Sequence, residues 1–225
     1  MKNFIIFIVV IIIIILGVSI FNNKEEIVDN NQQNTNLSSA VLLSNISDDF
    51  KGRVVDIDLA SSSLTWFAEK IAIVKHTGNV KFSDGKVLLS KEGEILGGEV
   101  IVDMSTIDES KNNETVIKHL KSGDFFDVEK YPTSKLVITH IEKQSDGYYL
   151  AEADLTIRDI TAPVELTLNV DTANENQMEI NTKFNVNRTV YGANFGSESL
   201  FAELGDKAIR DWVDFTVTLV LPKEI

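Results

Sequence analysis

The sequence predicts an all-β domain, a sandwich or a barrel, preceded by an apolar N-terminal segment. Three observations carry the prediction. The C-terminal half alternates apolar and polar residues with a period of two, the mark of strands with one face buried. The chain is rich in Val, Ile, Leu, Thr and Phe and holds only three Pro, a composition that suits pleated, half-buried surfaces. Turn signals such as Asp84-Gly85, Glu92-Gly93 and Ser145-Asp146-Gly147 divide the runs into short, regularly spaced segments.

Taken in chain order, the first element is the run from Phe4 to Phe21, broken only by Gly17 and Ser19 and flanked by Lys2 and by Glu25 and Glu26. At 1.5 Å per residue such a helix spans roughly 27 Å, close to a hydrocarbon core of about 30 Å. Residues 1–21 therefore read as a signal anchor, with Lys2 cytoplasmic and the rest of the chain extracytoplasmic. A cleaved signal peptide, for which Gly17-Val18-Ser19 offers small residues, is the competing reading and places the domain on the same side. Residues 22–52, with Asn30, Asn31, Gln32, Gln33 and Asn34, read as a flexible polar linker with a short apolar patch at Val41–Leu43.

The domain follows over 53–225. Strands are expected at Val54–Leu59, Leu64–Phe67, Ile71–Phe82, Val87–Ser90, Ile95–Met104 and Lys135–Ile141. The clearest are Tyr149–Ile157, Val164–Val170, Met178–Val186 and Val213–Leu219, each with its apolar residues on alternate positions. One short helix is expected at Asn113–Ser122, with Val116, Ile117 and Leu120 on one face, Asn112 or Asn113 as its N-cap and Gly123 at its end. It serves either as an apolar lid, with Phe125 and Phe126 behind it, or as a crossover packed on the sheet. Small residues at Ala151, Ala153, Gly97 and Gly98 reduce the volume filling a closed sheet, which favours a cavity, although they also ease curvature.

Composition narrows the function. With 34 acidic against 21 basic residues and a formal charge of −13, and with no Lys/Arg run, nucleic acid is not an expected partner. The absence of cysteine excludes disulfides, thiolate metal sites and a lipid-modified Cys. His76, His119 and His140 show no metal-ligand spacing. Gly196-Ser197-Glu198-Ser199-Leu200 lacks the second Gly of a nucleophile elbow, and no phosphate-binding glycine loop occurs. No catalytic, metal or cofactor role is expected. Arg188 is a candidate to pair with an Asp at a barrel rim, and Trp212 to plug a base.

The segments that stand out are Ser62–Trp66, Lys75–Phe82, Val102–Ile107, His119–Pro132, Ala153–Val164, Val186–Gly192 and Leu204–Ile209. In order and spacing, from about Val54 to Leu221, they resemble the YceI-like family of extracytoplasmic, lipocalin-type proteins. The resemblance implies an extended eight-stranded antiparallel barrel with a short helix near one end and a long apolar channel, in which relatives hold a polyisoprenoid chain. Two departures bear on local geometry, Ala153 and Asp159, where the family pattern has Gly. The implied ligand is an isoprenoid lipid or isoprenoid quinone, with membrane contact through the N-terminal segment; nothing points to a homo-oligomer. The implied lipid-contacting residues are the motif positions Phe125, Phe126, Tyr131, Leu155, Ile157, Val164, Val186 and Tyr191. Leu166, Phe184, Trp212 and Phe215 join them. The alternatives are a solid β domain acting in adhesion or stress protection through its surface, and a lipid- or quinone-modifying enzyme.

Overall fold

A computed structural model describes residues 52–70, 74–145 and 147–223. The expected anchor, and the linker up to residue 51, lie outside the described residues. The strands are β1 (Arg53–Asp56), β2 (Ser63–Lys70), β3 (Val74–Leu89), β4 (Ile95–Asp103), β5 (Thr133–Lys143), β6 (Tyr148–Ile157), β7 (Ile160–Asp171), β8 (Gln177–Asn187) and β9 (Trp212–Pro222). Among the described residues one α-helix, α1 (Glu114–Lys121), and short 3-10 turns at Met104–Thr106, Arg188–Tyr191 and Ala202–Lys207 complete the order.

All neighbours are antiparallel, and the order β1-β3-β2-β9-β8-β7-β6-β5-β4 returns through a β3–β4 pairing. Strands β2 to β9 thus close an eight-stranded barrel, and β1 lies beyond β2 on the same side of β3. Closure follows from the pattern: a sheet with one apolar face and no covering layer buries that face by curling on itself.

The sequence placed a turn at Asp84-Gly85, splitting β3 in two. The structure keeps one strand of sixteen residues. A register shift between Phe82 and Asp84 against β4 absorbs the irregularity as a bulge. Gly85 instead allows close packing: a Cβ there would lie 2.6 Å from Ile57 Cδ1, so the Ile57 side chain would have to move. The other two turn signals do reverse the chain, with Gly93 at φ 85° and Gly147 at φ 81°.

The β6–β7 hairpin turns on Arg158 and Asp159. Arg158 takes the left-handed conformation at φ 59°, which disfavours a side chain with a Cβ. Its guanidinium offsets that strain by donating to Gly192 O at 2.9 Å and Phe125 O at 3.4 Å. It also lies 5.5 Å from the Tyr131 ring centre.

Antiparallel order sorts the connections to two ends. One end carries the β3–β4, β5–β6 and β7–β8 turns over a packed base of Tyr149, Leu89, Met178 and Leu221. The other, the mouth, carries α1, the 122–132 loop, the Arg158 turn and the 188–211 segment. Asn113 caps α1, accepting from Val116 N at 3.3 Å. Ser122 caps its far end, where Gly123 was expected, and its N–H reaches the His119 and Lys118 carbonyls.

The barrel wall is not uniform. The β8–β9 pairing runs unbroken from Gln177↔Pro222 to Asn187↔Trp212. The β7–β8 pairing covers only Leu168↔Thr182 to Asp171↔Glu179. Towards the mouth Ile160–Thr167 and Lys183–Asn187 separate. At this gap Leu155, Ile157, Val186 and Tyr191 form a separate buried cluster, with Ala162, Val164 and Phe184 packed against it.

Candidate ligand cavity

The inward faces of the strands enclose a cavity of about 170 Å³. Leu64, Trp66 and Ala68 of β2, Val80 and Phe82 of β3, and Val100 and Val102 of β4 form one wall. Leu155 and Ile157 of β6, Leu166 and Leu168 of β7, Phe184 of β8, and Val213, Phe215 and Val217 of β9 form the other. Leu120 of α1, Phe125, Phe126, Arg188 and Ile209 border it towards the mouth. The helix has no fully buried residue and contributes Leu120 alone to the lining, as a cap resting on the opening.

Of the residues implied as lipid contacts, Phe125, Phe126, Leu155, Ile157, Leu166, Phe184 and Phe215 line the cavity. Phe184 and Phe215, paired across β8 and β9, stack with ring centres 5.4 Å apart. Val186 and Tyr191 are buried beside the cavity in the gap cluster, and Val164 packs against it. Tyr131 lies outside: its hydroxyl donates to Asp159 at 3.2 Å and its ring sits between Lys130 and Arg158. Trp212 is 56% exposed. It stands one residue out of phase with Val213, Phe215 and Val217, so a strand that turns these inward must turn Trp212 out. Neither Trp212 nor Tyr131 plugs or lines the barrel.

The wall contributed by β2, β3 and β4 was missed. Its signal was present in Leu64, Trp66 and Ala68, which alternate, but the bulge in β3 shifts the phase between Phe82 and Val87. Ala151 and Ala153 are buried at 5% and 1% exposure and do not border the cavity. They pair with the larger Leu166 and Val164 on β7. Gly98 does border it, where a Cβ would come within 2.8 Å of Lys86 O.

Polar groups at the cavity are few and fall into two kinds. Charged ones are paired: Lys86 with Asp56 and Lys135 with Glu99, both at 2.7 Å. Arg188 is buried and donates to the carbonyls of Arg210 at 3.1 Å, Ile209 at 3.1 Å and Ala193. Its Nη2 lies 3.5 Å from Asp211 Oδ1. Burial alone would raise the Asp211 carboxyl, but the Ser197 and Ser199 hydroxyls, the Ser199 N–H and Arg188 hold it below the usual range. Burial lowers Arg188 from its ordinary value, against the pull of Asp211 and Glu198. Together they tie the 193–211 segment across the mouth. The expectation that Arg188 pairs with an Asp is met, inside the protein.

The second kind is unpaired. Trp66 Nε1, Ser134 Oγ and Thr182 Oγ1 are buried without a hydrogen-bond partner, and all three residues line the cavity. Each such atom costs about 1–3 kcal/mol.

Beside the mouth, Glu109 is almost wholly buried, 1% exposed. Its Oε1 lies 3.1 Å from His76 Nδ1, and its Oε2 accepts from Lys111 N at 2.9 Å and Asn113 N at 3.1 Å. The His76 hydrogen bond lowers its pKa, burial opposes this, and the two backbone N–H groups lower it further. The pair ties the segment leading into α1 to β3. The other histidines pair locally, His119 with Asp124 and His140 with Glu142.

A closed eight-stranded barrel around an apolar interior, capped at one end, defines a lipocalin-type protein. The YceI-like domain model matches residues 56–221, and the chain belongs to that family. It is 27% identical over 142 residues to a UPF0312 protein of Shewanella denitrificans, covering 63% of this chain and 73% of that one. Relatives from Vibrio vulnificus are matched over 58% of their length. Among solved structures, BcnA of Burkholderia cenocepacia superposes with a TM-score of 0.62 at 20% identity, over 73% of this chain and 99% of that one. A polyisoprenoid binding domain from Saccharophagus degradans superposes with 0.57 at 14% identity, over 75% and 98%. These likenesses establish the fold.

Proposed function

We propose that the protein binds an apolar isoprenoid-type lipid inside its barrel, on the extracytoplasmic side of a membrane, and sequesters or carries it. The observation that carries this reading is the cavity, enclosed by strands and lined almost entirely by aliphatic and aromatic side chains. The polyisoprenoid binding domain from Saccharophagus degradans, which shares the fold, supports the ligand class. The apolar run Phe4–Phe21 supports membrane attachment and the side.

Size adds a condition. A cavity of about 150 Å³ takes a benzene-sized guest, so 170 Å³ holds roughly one isoprene unit. A longer chain enters only as side chains such as Phe126, Phe184 and Phe215 swing aside. The energetics allow reversible exchange: burial from water is worth about 0.8 kcal/mol per CH₂, but a lipid leaving a bilayer is already out of water. Membrane-to-barrel transfer then lies near zero, which suits a carrier better than a tight sink.

A solid β domain acting only through its surface is disfavoured by the cavity itself. A lipid-modifying enzyme needs an acid/base pair converging on the guest; the His76–Glu109 pair does not belong to the lining. Native mass spectrometry of the gently purified protein should show an apolar adduct released by organic extraction. Repeated recovery of ligand-free protein that also takes up no added prenyl lipid would overturn the proposal.

A further inference from the structure

We infer that the mouth of the barrel is a membrane-docking face, on which the 188–212 segment seats Val190, Phe195, Leu200, Phe201 and Trp212, with Ile160 beside them, against a bilayer of neutral head groups. The inference rests on the proposed membrane attachment and adds a second contact to it, independent of what the cavity holds.

The segment is turned inside out. Its polar side chains Arg188, Ser197 and Asp211 are buried, whereas Val190, Leu200 and Trp212 are 51%, 53% and 56% exposed. Buried polar groups and clustered exposed apolar ones are the departures from an ordinary surface that call for a reason. Among the described residues, every exposed Phe and Trp lies here. The buried groups hold this posture. Arg188 binds the carbonyls of Ala193, Ile209 and Arg210, and Ser199 donates to Asp211, which draws their chain neighbours Leu200 and Trp212 to the same part of the mouth. The Ile160 side chain reaches Gly192. The Phe195 ring lies 5.8 Å from that of Phe125, which lines the cavity, so the exposed face runs on into the apolar lining.

A bilayer is the occupant that these observations favour. The apolar run Phe4–Phe21 belongs to the same chain. The domain begins with Arg53, paired with Leu89 at the base, and a wall of eleven paired residues is at most about 36 Å long. Residues 22–52 can reach up to about 100 Å, so the covalent connection permits the mouth to face the membrane that holds the run. Trp, Phe, Leu and Val presented together are the side chains that settle at a membrane–water boundary. Charge selects the head group. A formal charge of −13 opposes attraction to anionic lipid, and Arg210 of this segment is paired with Glu69, so the contact is apolar and suits neutral head groups. A guest then moves between bilayer and barrel without crossing water.

The test places the full-length protein in phosphatidylcholine vesicles whose acyl chains carry bromine, a contact quencher of tryptophan emission. The protein has two tryptophans, Trp66 buried in the barrel and Trp212 exposed at its mouth. Relative to unbrominated vesicles, wild type should lose about half its emission, the share of one emitter in two, and Trp212→Phe should lose little. Leu200→Glu combined with Phe201→Glu, both at exposed positions, should restore most of the emission while the protein stays on the vesicles. Vesicle-bound wild type that bromine leaves unquenched overturns the docking face and leaves the lipid cavity standing. Quenching that persists in full in Trp212→Phe arises at Trp66, inside the barrel, and overturns it too. Emission that is blue-shifted yet blind to bromine assigns the face to a second copy or another protein and removes the bilayer as its occupant. Failure of wild type to bind the vesicles overturns the docking together with the membrane attachment. Uptake of prenyl lipid is read separately by native mass spectrometry, so its absence sinks the proposed cargo and not the docking.

Discussion

The two seams on either side of β8 close the same wall by different means. Towards β9, backbone hydrogen bonds hold the full length of the strand, from Gln177↔Pro222 to Asn187↔Trp212. Towards β7 they stop at Leu168↔Thr182, and from there to the mouth packed side chains, Tyr191, Val186, Val164 and Phe184 among them, take the place of the ladder. A ladder opens only by breaking a row of directional bonds, whereas packed side chains part by changing rotamers. The difference teaches where this barrel can yield: along the half-zipped seam, beside Phe184, which also lines the cavity.

The largest test of that contrast is Arg188→Ala. Removing one partner of a buried ion pair costs about 3–5 kcal/mol, and Arg188 opens the turn that fills the gap. Chemical denaturation should show the loss; a midpoint shift worth less than about 1 kcal/mol would mean that the 193–211 segment is held by something else. Tyr191→Ala comes next. The ring is 2% exposed, and truncating a buried aromatic costs about 3 kcal/mol. Amide exchange should quicken for Ile160–Thr167 and Lys183–Asn187 far more than for the amides shared by β8 and β9. Equal acceleration on both seams would erase the distinction.

Glu109→Gln is the smallest and serves as a control away from both seams. The carboxylate's folded pKa lies below its ordinary value, so its stabilisation is present at neutral pH and is lost as pH falls below the ordinary carboxylate range through the folded value. The variant should therefore be less stable than wild type at pH 7 and converge on it in stronger acid, with β7–β8 exchange unchanged. Urea midpoints across pH 3–7 check this, and a stability gap independent of pH would exclude a charged Glu109 as its source.

Much of the barrel was legible in the residues. The runs at Val164–Val170, Met178–Val186 and Val213–Leu219 alternate cleanly because one face meets the interior and the other water, and all three lie within observed strands. Gly85 misled for the opposite reason: Gly marks both turns and close approaches, and only the position of Ile57 decides between them. Trp212 was assigned inward on its type, although its parity with Val213 already turned it out. The orphaned atoms of Trp66 and Thr182 had no signature at all, since being unpartnered depends on every neighbour in three dimensions. The half-zipped seam left one sign, Pro163, which has no N–H to give a neighbouring strand, but the even alternation of Ile160–Thr167 masked it.

Ring closure has a consequence for self-association. Open sheets recruit other chains through exposed edges; ring closure leaves this sheet only the four-residue β1 and the unpaired stretch between β7 and β8. Of the two, the stretch between β7 and β8 is the longer, and it is where edge-to-edge growth is favoured. If the barrel holds a lipid as proposed, the guest would brace that seam from within, and ligand loading and resistance to aggregation would rise together.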